Sequence, residues 1–201
     1  SFPIAVACDP AFNFVYEANI RYLHHLGEVT YFSPLADTSL PDAGFVYLPG
    51  GYPELYLAAL SANRQMLQSI RRYVESGGKL LAECGGMMYL CDEIRDKNGD
   101  VYPMAGVLHQ SATMENMKLR LGYRTLLYNE TRLKGHEFHY SRLVEQQNPL
   151  PSCAVAYTAK GVETDTPLYH YKNVWAGYTH LYWADPVGNE WFTKFVIDGN
   201  T

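Results

Sequence analysis

No stretch of this chain approaches the roughly 20 consecutive apolar residues that a membrane-spanning helix needs. Charge is sparse as well: Asp, Glu, Lys and Arg make up 18% of the 201 residues, for a net charge of −5, with a pI near 5.8. No basic stripe interrupts that balance, so nucleic acid and an anionic membrane surface are poor partners on electrostatic grounds. Cysteine is scarce, and the four present, Cys8, Cys84, Cys91 and Cys153, form no CxxC pair. Scattered thiols suit a reducing cytoplasm better than a disulfide framework, and the seven scattered histidines add no zinc-like spacing, so no metal site is expected. Internal repeats, low-complexity tracts and long linkers are all missing, and residues 1–7 lead into a strand-like segment without a signal-peptide pattern. The length suits one domain spanning residues 1–201. The chain opens on Ser1 rather than Met, which points to a fragment or a processed piece.

The first half alternates strand and helix signals. Residues 4–8 form a short apolar run, too short for a helix, that reads as a buried strand. Residues 12–26 carry helix formers and stop at Gly27, a candidate left-handed cap. Further strands are predicted at 29–32, 45–48 and 80–82. Pro53 can open a short helix, Asn63 can cap a longer one to Ser76, and residues 85–91 look helical. Strands alternating with helices at this spacing imply a parallel sheet with right-handed crossovers, an α/β fold. Beyond about residue 105, segments 120–128, 131–140, 155–158 and 174–183 are β-branched and aromatic, separated by turn signals. They predict additional antiparallel strands, and residues 186–197 predict a closing helix.

The most informative segment is Leu81-Ala82-Glu83-Cys84-Gly85-Gly86-Met87. A strand runs into a cysteine and two glycines open a helix, the layout of a nucleophile elbow. The helix N-terminus is expected to favour the thiolate and to lower a pKa that otherwise sits near about 8.5. On its own a free cysteine is more often a small buried apolar residue, and Cys8, Cys91 and Cys153 read that way. Leu48-Pro49-Gly50-Gly51 also follows a strand, and in a parallel sheet all strand C-termini open onto one edge. A Gly-Gly peptide there can aim an N–H at a developing oxyanion, with Gly85 N–H as a second donor. A base is needed. His180, His136 and His139 all lie in strand-like segments, and residue types alone do not choose among them.

Three separated segments, Leu48-Pro49-Gly50-Gly51, Cys84 with its two glycines, and the late His180, resemble the triad-type (class I) glutamine amidotransferases. Closer similarity, through residues 9–14, LPGGYPELYLAALSAN at 48–63, AECGGMMYL at 82–90 and GHEFHYSR at 135–142, is to the C-terminal glutaminase domain of the cobyrinic acid a,c-diamide synthases. The resemblance implies a flavodoxin-like fold, Cys84 as nucleophile, His180 as base, and Gly51 and Gly85 as the oxyanion hole. It implies L-glutamine as substrate and a partner N-terminal ATP-dependent synthetase domain carrying the corrinoid, in the cytoplasm. No cofactor is expected in this chain. ATP and Mg²⁺ belong to the partner domain, since no GxxxxGK[ST] loop occurs among the 201 residues. Tyr52, Gly86, Met88, His139, Tyr140 and Ser141 are candidates for the glutamine pocket or the domain interface.

Three departures stand out. The usual triad carboxylate two residues after the histidine is Tyr182 here, which suggests a Cys–His dyad or another acid, Glu83 or Glu137, behind His180. A glutamine common four residues after the nucleophile is Met88, and Ala82 replaces a frequent glycine two residues before it. The alternatives are the glutaminase domain of cobyric acid synthase and a non-catalytic docking or ammonia-guiding module of the same fold.

Overall fold

Four short apolar runs, buried almost throughout, build the centre of the molecule: Pro3–Ala7, Phe45–Leu48, Leu80–Glu83 and Val174–Gly177. The computed structural model describes residues 2–199. The central sheet has six strands in the order Leu168–Tyr171, Val174–Gly177, Leu80–Glu83, Phe45–Leu48, Pro3–Ala7, Glu28–Phe32. Neighbours are parallel except at the Leu168–Tyr171 edge, which is antiparallel. Runs without polar alternation are what a sheet covered on both faces requires. Period-two geometry then splits each strand between two cores. Ala5, Val46, Leu48, Leu80 and Ala82 face the Arg64–Glu75 and Gly85–Leu90 helices, while Ile4, Val6, Phe45, Tyr47 and Leu81 face Leu23, Trp183, Trp191 and Phe192.

The second half adds two sheets, one of four strands and one of five. Arg120–Tyr128 and Thr131–His139 form a long hairpin through Asn129, whose φ of 53° is a left-handed value that asparagine tolerates. The two-residue strand His180–Leu181 joins the free side of this hairpin, placing His180 opposite His136 and Leu181 opposite Gly135. The chain is α/β with a mixed set of sheets, as the sequence predicts.

Several expectations change. The predicted helix at 12–26 starts only at Glu17. Asp9 turns the preceding residues into a loop, its carboxylate accepting the N–H groups of Ala11 and Phe12 and, with its second oxygen, the Ser33 hydroxyl and the Leu35 N–H. Gly27 is extended (φ −173°), not left-handed; it is glycine because a Cβ would stand 2.0 Å from the Phe2 carbonyl oxygen. The 174–183 segment is not one strand, since Val174–Gly177 enters the central sheet and His180–Leu181 the hairpin sheet. The helix after Cys84 ends at Leu90 and passes into an unforeseen strand, Cys91–Arg95. The closing helix is α-helical over Pro186–Trp191 and widens to π geometry over Phe192–Ile197. Asn63 caps its helix as predicted, its side chain accepting from Met66 N. Among the described residues no helix is long and apolar enough to cross a membrane.

Candidate active site

Because the central strands are parallel, their C-terminal ends share one edge, and that edge gathers Phe14, Gly51, Cys84 and His180. Cys84 has φ 51° and ψ −109°, a conformation costing about 1–3 kcal/mol for a residue with a Cβ and maintained only where surroundings impose it. Here they do. Cys84 N–H is held by the Gly177 carbonyl at 2.8 Å, and Met88 N–H closes the first helical turn on the Cys84 carbonyl at 3.0 Å. At Gly86 a Cβ would lie 2.0 Å from Leu48 O, so glycine is what lets this turn settle against the neighbouring strand.

Cys84, His180, Gly51 and Tyr52 line one cavity of about 230 Å³, together with Phe14, His136 and Phe138. His180 is seated by close approach. A Cβ on Gly50 would stand 2.2 Å from His180 Cε1, and one on Gly135 would stand 2.2 Å from the His180 carbonyl oxygen. Phe14 meets the His180 ring edge-on at 4.6 Å, and His136 stacks on it at 4.8 Å with 19° between planes. The Gly50 carbonyl accepts Phe14 N–H at 3.1 Å, which turns the next peptide N–H, that of Gly51, to the opposite side of the loop.

The resting charge state differs from the thiolate expected beside a helix N-terminus. Burial pushes the Cys84 thiol up, Glu54, Glu137 and Glu83 add to it, and only the Gly85 N–H opposes. A six-residue helix offers too little dipole to offset the desolvation of a sulfur that is 4% exposed. The thiol instead donates to the Phe138 carbonyl at 3.5 Å. Burial, with His136 and His139 adding, pushes His180 down to about 3. The pair therefore rests as neutral thiol and neutral imidazole, with the ring free to accept a proton.

Neither candidate acid touches the His180 ring. Glu83, fully buried, accepts Tyr47 Oη–H at 2.5 Å and Leu181 N–H at 2.8 Å, so it anchors the strand that carries His180 through its main chain. Burial raises this carboxyl to about 7 despite those bonds. Glu137, 1% exposed, serves a separate network: it accepts from Arg124 Nε at 2.7 Å, Thr166 Oγ1 at 2.6 Å and His139 Nε2 at 2.7 Å. His139 also gives Nδ1 to the Ser141 carbonyl at 2.7 Å and stacks on Tyr178 at 3.6 Å. Ser141 Oγ meets Tyr178 Oη at 2.8 Å and Met88 Sδ at 3.2 Å. His139, Tyr140 and Ser141 thus line a second, larger cavity of about 790 Å³, not the one at Cys84, and Met88 is buried behind the nucleophile. Gly85 and Gly86 lie in the turn itself. The sequence reading held His136 only as one of three candidate bases and missed Phe138 as a lining residue. Strand parity was the available signal, since side chains 136 and 138 share the face opposite 137 and 139.

The Glu137 network sets an acid limit. Burial alone would raise this carboxyl, but hydrogen bonds from His139 and Thr166, the His139 charge and Arg124 hold it at about 2. A folded-state value below the ordinary 4.5 gives stability that is present above pH 4.5 and lost as pH falls toward 2. His180 acts in the same direction from its ordinary 6.5 down to about 3. Between 4.5 and 6.5 it is opposed by Glu83, whose raised value favours the fold there as pH falls. Thermal melts should therefore fall most steeply below pH 4.5, and Glu137→Gln should melt lower at pH 6 and flatten that acid slope. An unchanged slope in Glu137→Gln would remove the network from this role.

Comparison with known proteins bears on the family and the fold. Residues 3–187 match the model of the CobB/CobQ-like glutamine amidotransferase domain. The chain is 40% identical over 185 residues to the hydrogenobyrinate a,c-diamide synthase of Pseudomonas aeruginosa, covering 89% of this chain and 41% of that protein. It is also 40% identical over 188 residues to the cobyrinate a,c-diamide synthase of Fusobacterium nucleatum, covering 89% and 41%. The chain thus spans about two fifths of the length of these curated relatives. Among solved structures, PurLQS from Thermotoga maritima superposes with TM-score 0.60 at 18% identity over 89% of this chain and 87% of that one. A crystal structure of a glutamine amidotransferase gives 0.61 at 17%, covering 96% and 98%.

Proposed function

Because the chain belongs to the CobB/CobQ-like glutamine amidotransferase domain family, we propose that it hydrolyses L-glutamine through a Cys84 thioester. The ammonia passes to an ATP-dependent domain that amidates the a and c acetate carboxylates of cobyrinic or hydrogenobyrinic acid. The observation that carries the catalytic part is one cavity holding a strained strand-to-helix cysteine, a neutral imidazole and the Gly51 loop. The corrinoid part is supported by the a,c-diamide synthases at 40% identity.

In this reading His180 takes the thiol proton as sulfur attacks the side-chain amide carbon. The carbonyl electrons move onto oxygen, held by the Gly51 and Gly85 N–H groups. Collapse breaks the C–N bond, His180 returns the proton to the departing nitrogen, and ammonia leaves. A water then loses its proton to His180 and opens the thioester, releasing glutamate and the thiol. None of these steps asks for a metal or cofactor; ATP and Mg²⁺ serve the partner domain, where the carboxylate is activated. The free thiols of the chain suit the cytoplasm.

The absent triad carboxylate favours testing one other reading, a docking module that keeps the fold without the chemistry. A glutamine-analogue electrophile, such as a γ-chloroketone, should add covalently at Cys84 in the full-length protein, read as a mass shift on the peptide containing it. L-glutamine should protect. A protein left unlabelled is a docking module, and the glutaminase reading goes.

A further inference from the structure

We propose that His136 recognises the α-carboxylate of glutamine, donating to it from Nε2, and that Tyr16 holds the His136 ring in the tautomer this requires. The inference rests on the glutaminase reading and names the substrate contact within it.

His136 lines the Cys84 cavity, faces His180 across the strand pairing, and is half-buried. Its Nδ1 is hydrogen-bonded to Tyr16 Oη. Burial and the Glu83 charge push the Tyr16 phenol up to about 12, so it keeps its proton, and burial pushes His136 below its usual value, so the ring stays neutral. With Tyr16 Oη donating to Nδ1, as the proposal has it, the ring proton sits on Nε2. Tyr16 is itself wedged edge-on against His136 at 5.5 Å and Tyr182 at 5.5 Å, which fixes the donor. Tyr16 does not line the cavity, so the nitrogen away from it is the one a ligand can reach.

A ring in this state cannot be the base for Cys84, because its acceptor nitrogen is already occupied. It also cannot orient His180 by a hydrogen bond, since such bonds lie in the imidazole plane and these rings are stacked face to face. What it can do is donate. Glutamine presents acceptors at the side-chain amide oxygen and at the α-carboxylate, while its ammonium has none. The amide oxygen is assigned to the Gly51 and Gly85 N–H groups, and the cavity lining contains no Lys or Arg. The α-carboxylate therefore falls to His136, with the exposed Tyr52 hydroxyl the competing donor.

The test compares L-glutamine with 4-aminobutanamide, which carries the same reacting amide without the α-carboxylate, in glutaminase assays of the full-length protein. His136→Ala should raise KM for glutamine about 10- to 100-fold, the range one hydrogen bond to a charged group supplies. The effect should fall on KM rather than kcat, and kcat/KM for 4-aminobutanamide should not follow it. Tyr16→Phe should move glutamine the same way by a smaller factor, and His136→Gln, which keeps an N–H donor, should recover most of the loss and so exclude misfolding. Equal losses on both amides, or a kcat collapse with KM unchanged, overturns the proposal. So does selective loss of glutamine in Tyr52→Phe with the His136 variants unaffected. If the wild-type protein hydrolyses neither amide, it is the glutaminase reading that fails, before any variant is measured.

Discussion

In the proposed full-length synthetase, Cys84→Ala should stop amidation driven by glutamine, by a factor on the order of 10⁴ or more, while amidation driven by added ammonium salt should continue at the wild-type rate. The expectation follows from where the parts lie. Among the described residues, Cys84 carries the only sulfur lining the 230 Å³ cavity. In the proposed mechanism, replacing it removes the atom that bonds to the amide carbon, and no neighbour can substitute: Cys91 is buried seven residues on, Cys8 is exposed, and neither lines the cavity. The substitution also leaves the fold unburdened. The strained φ of 51° belongs to any residue with a Cβ, so alanine inherits the strain without adding to it. The side chain lost is small, and its one hydrogen bond is a long one from sulfur to Phe138 O at 3.5 Å. In the proposed full-length synthetase, ammonia supplied from solution should bypass this chemistry and still reach the activated carboxylate. Glutamine-dependent amidation that survives in Cys84→Ala removes the nucleophile assignment. Loss of both activities points instead to damage across the domain contact.

How much of this was legible beforehand depended on which force wrote the local sequence. Pro3–Ala7, Phe45–Leu48 and Leu80–Glu83 were readable because burial on both faces leaves an unbroken apolar run. The turn at Cys84 was readable because steric demand leaves glycine in the chain, as at Gly86. The Thr131–His139 strand hides its orientation because its buried face is polar where it matters. Leu133 and Gly135 are covered as expected, but then Glu137 and His139 are covered too, while Phe138 is exposed. Hydrophobicity alone would assign Phe138 to the interior and Glu137 to solvent, reversing the parity. Arg124 and Thr166, from other segments, satisfy the buried Glu137, while Ser141, just past the strand, satisfies His139; the partners from other segments cannot be foreseen from one strand. The loop before Glu17 shows the same limit: its composition suits a helix, and a single carboxylate, Asp9, bends it otherwise.

His180→Asn should slow thioester formation by about 10²- to 10⁴-fold, the usual contribution of a positioned general base, and far more than His136→Asn. The size of the effect rests on the state of the resting pair. With the Cys84 thiol pushed up by burial, almost no thiolate pre-exists, so the proton must leave as sulfur attacks and the base is needed in that step. His180 is suited to it in spite of lacking a carboxylate behind its ring. Gly50 and Gly135 allow the close approach that seats it, Phe14 and His136 pack against it and against each other, and Glu83 fixes the next residue by its N–H. Orientation by packing replaces orientation by charge, and the electrostatic cost is visible in a ring held down to about 3. That value carries its own signature. Since kcat/KM reports the free enzyme, its acid limb should be missing near pH 6.5, leaving the rate level across the interval from 4.5 to 6.5 in which an ordinary histidine would titrate. A limb centred near 6.5, or a larger defect in His136→Asn than in His180→Asn, would transfer the role of base to the other ring.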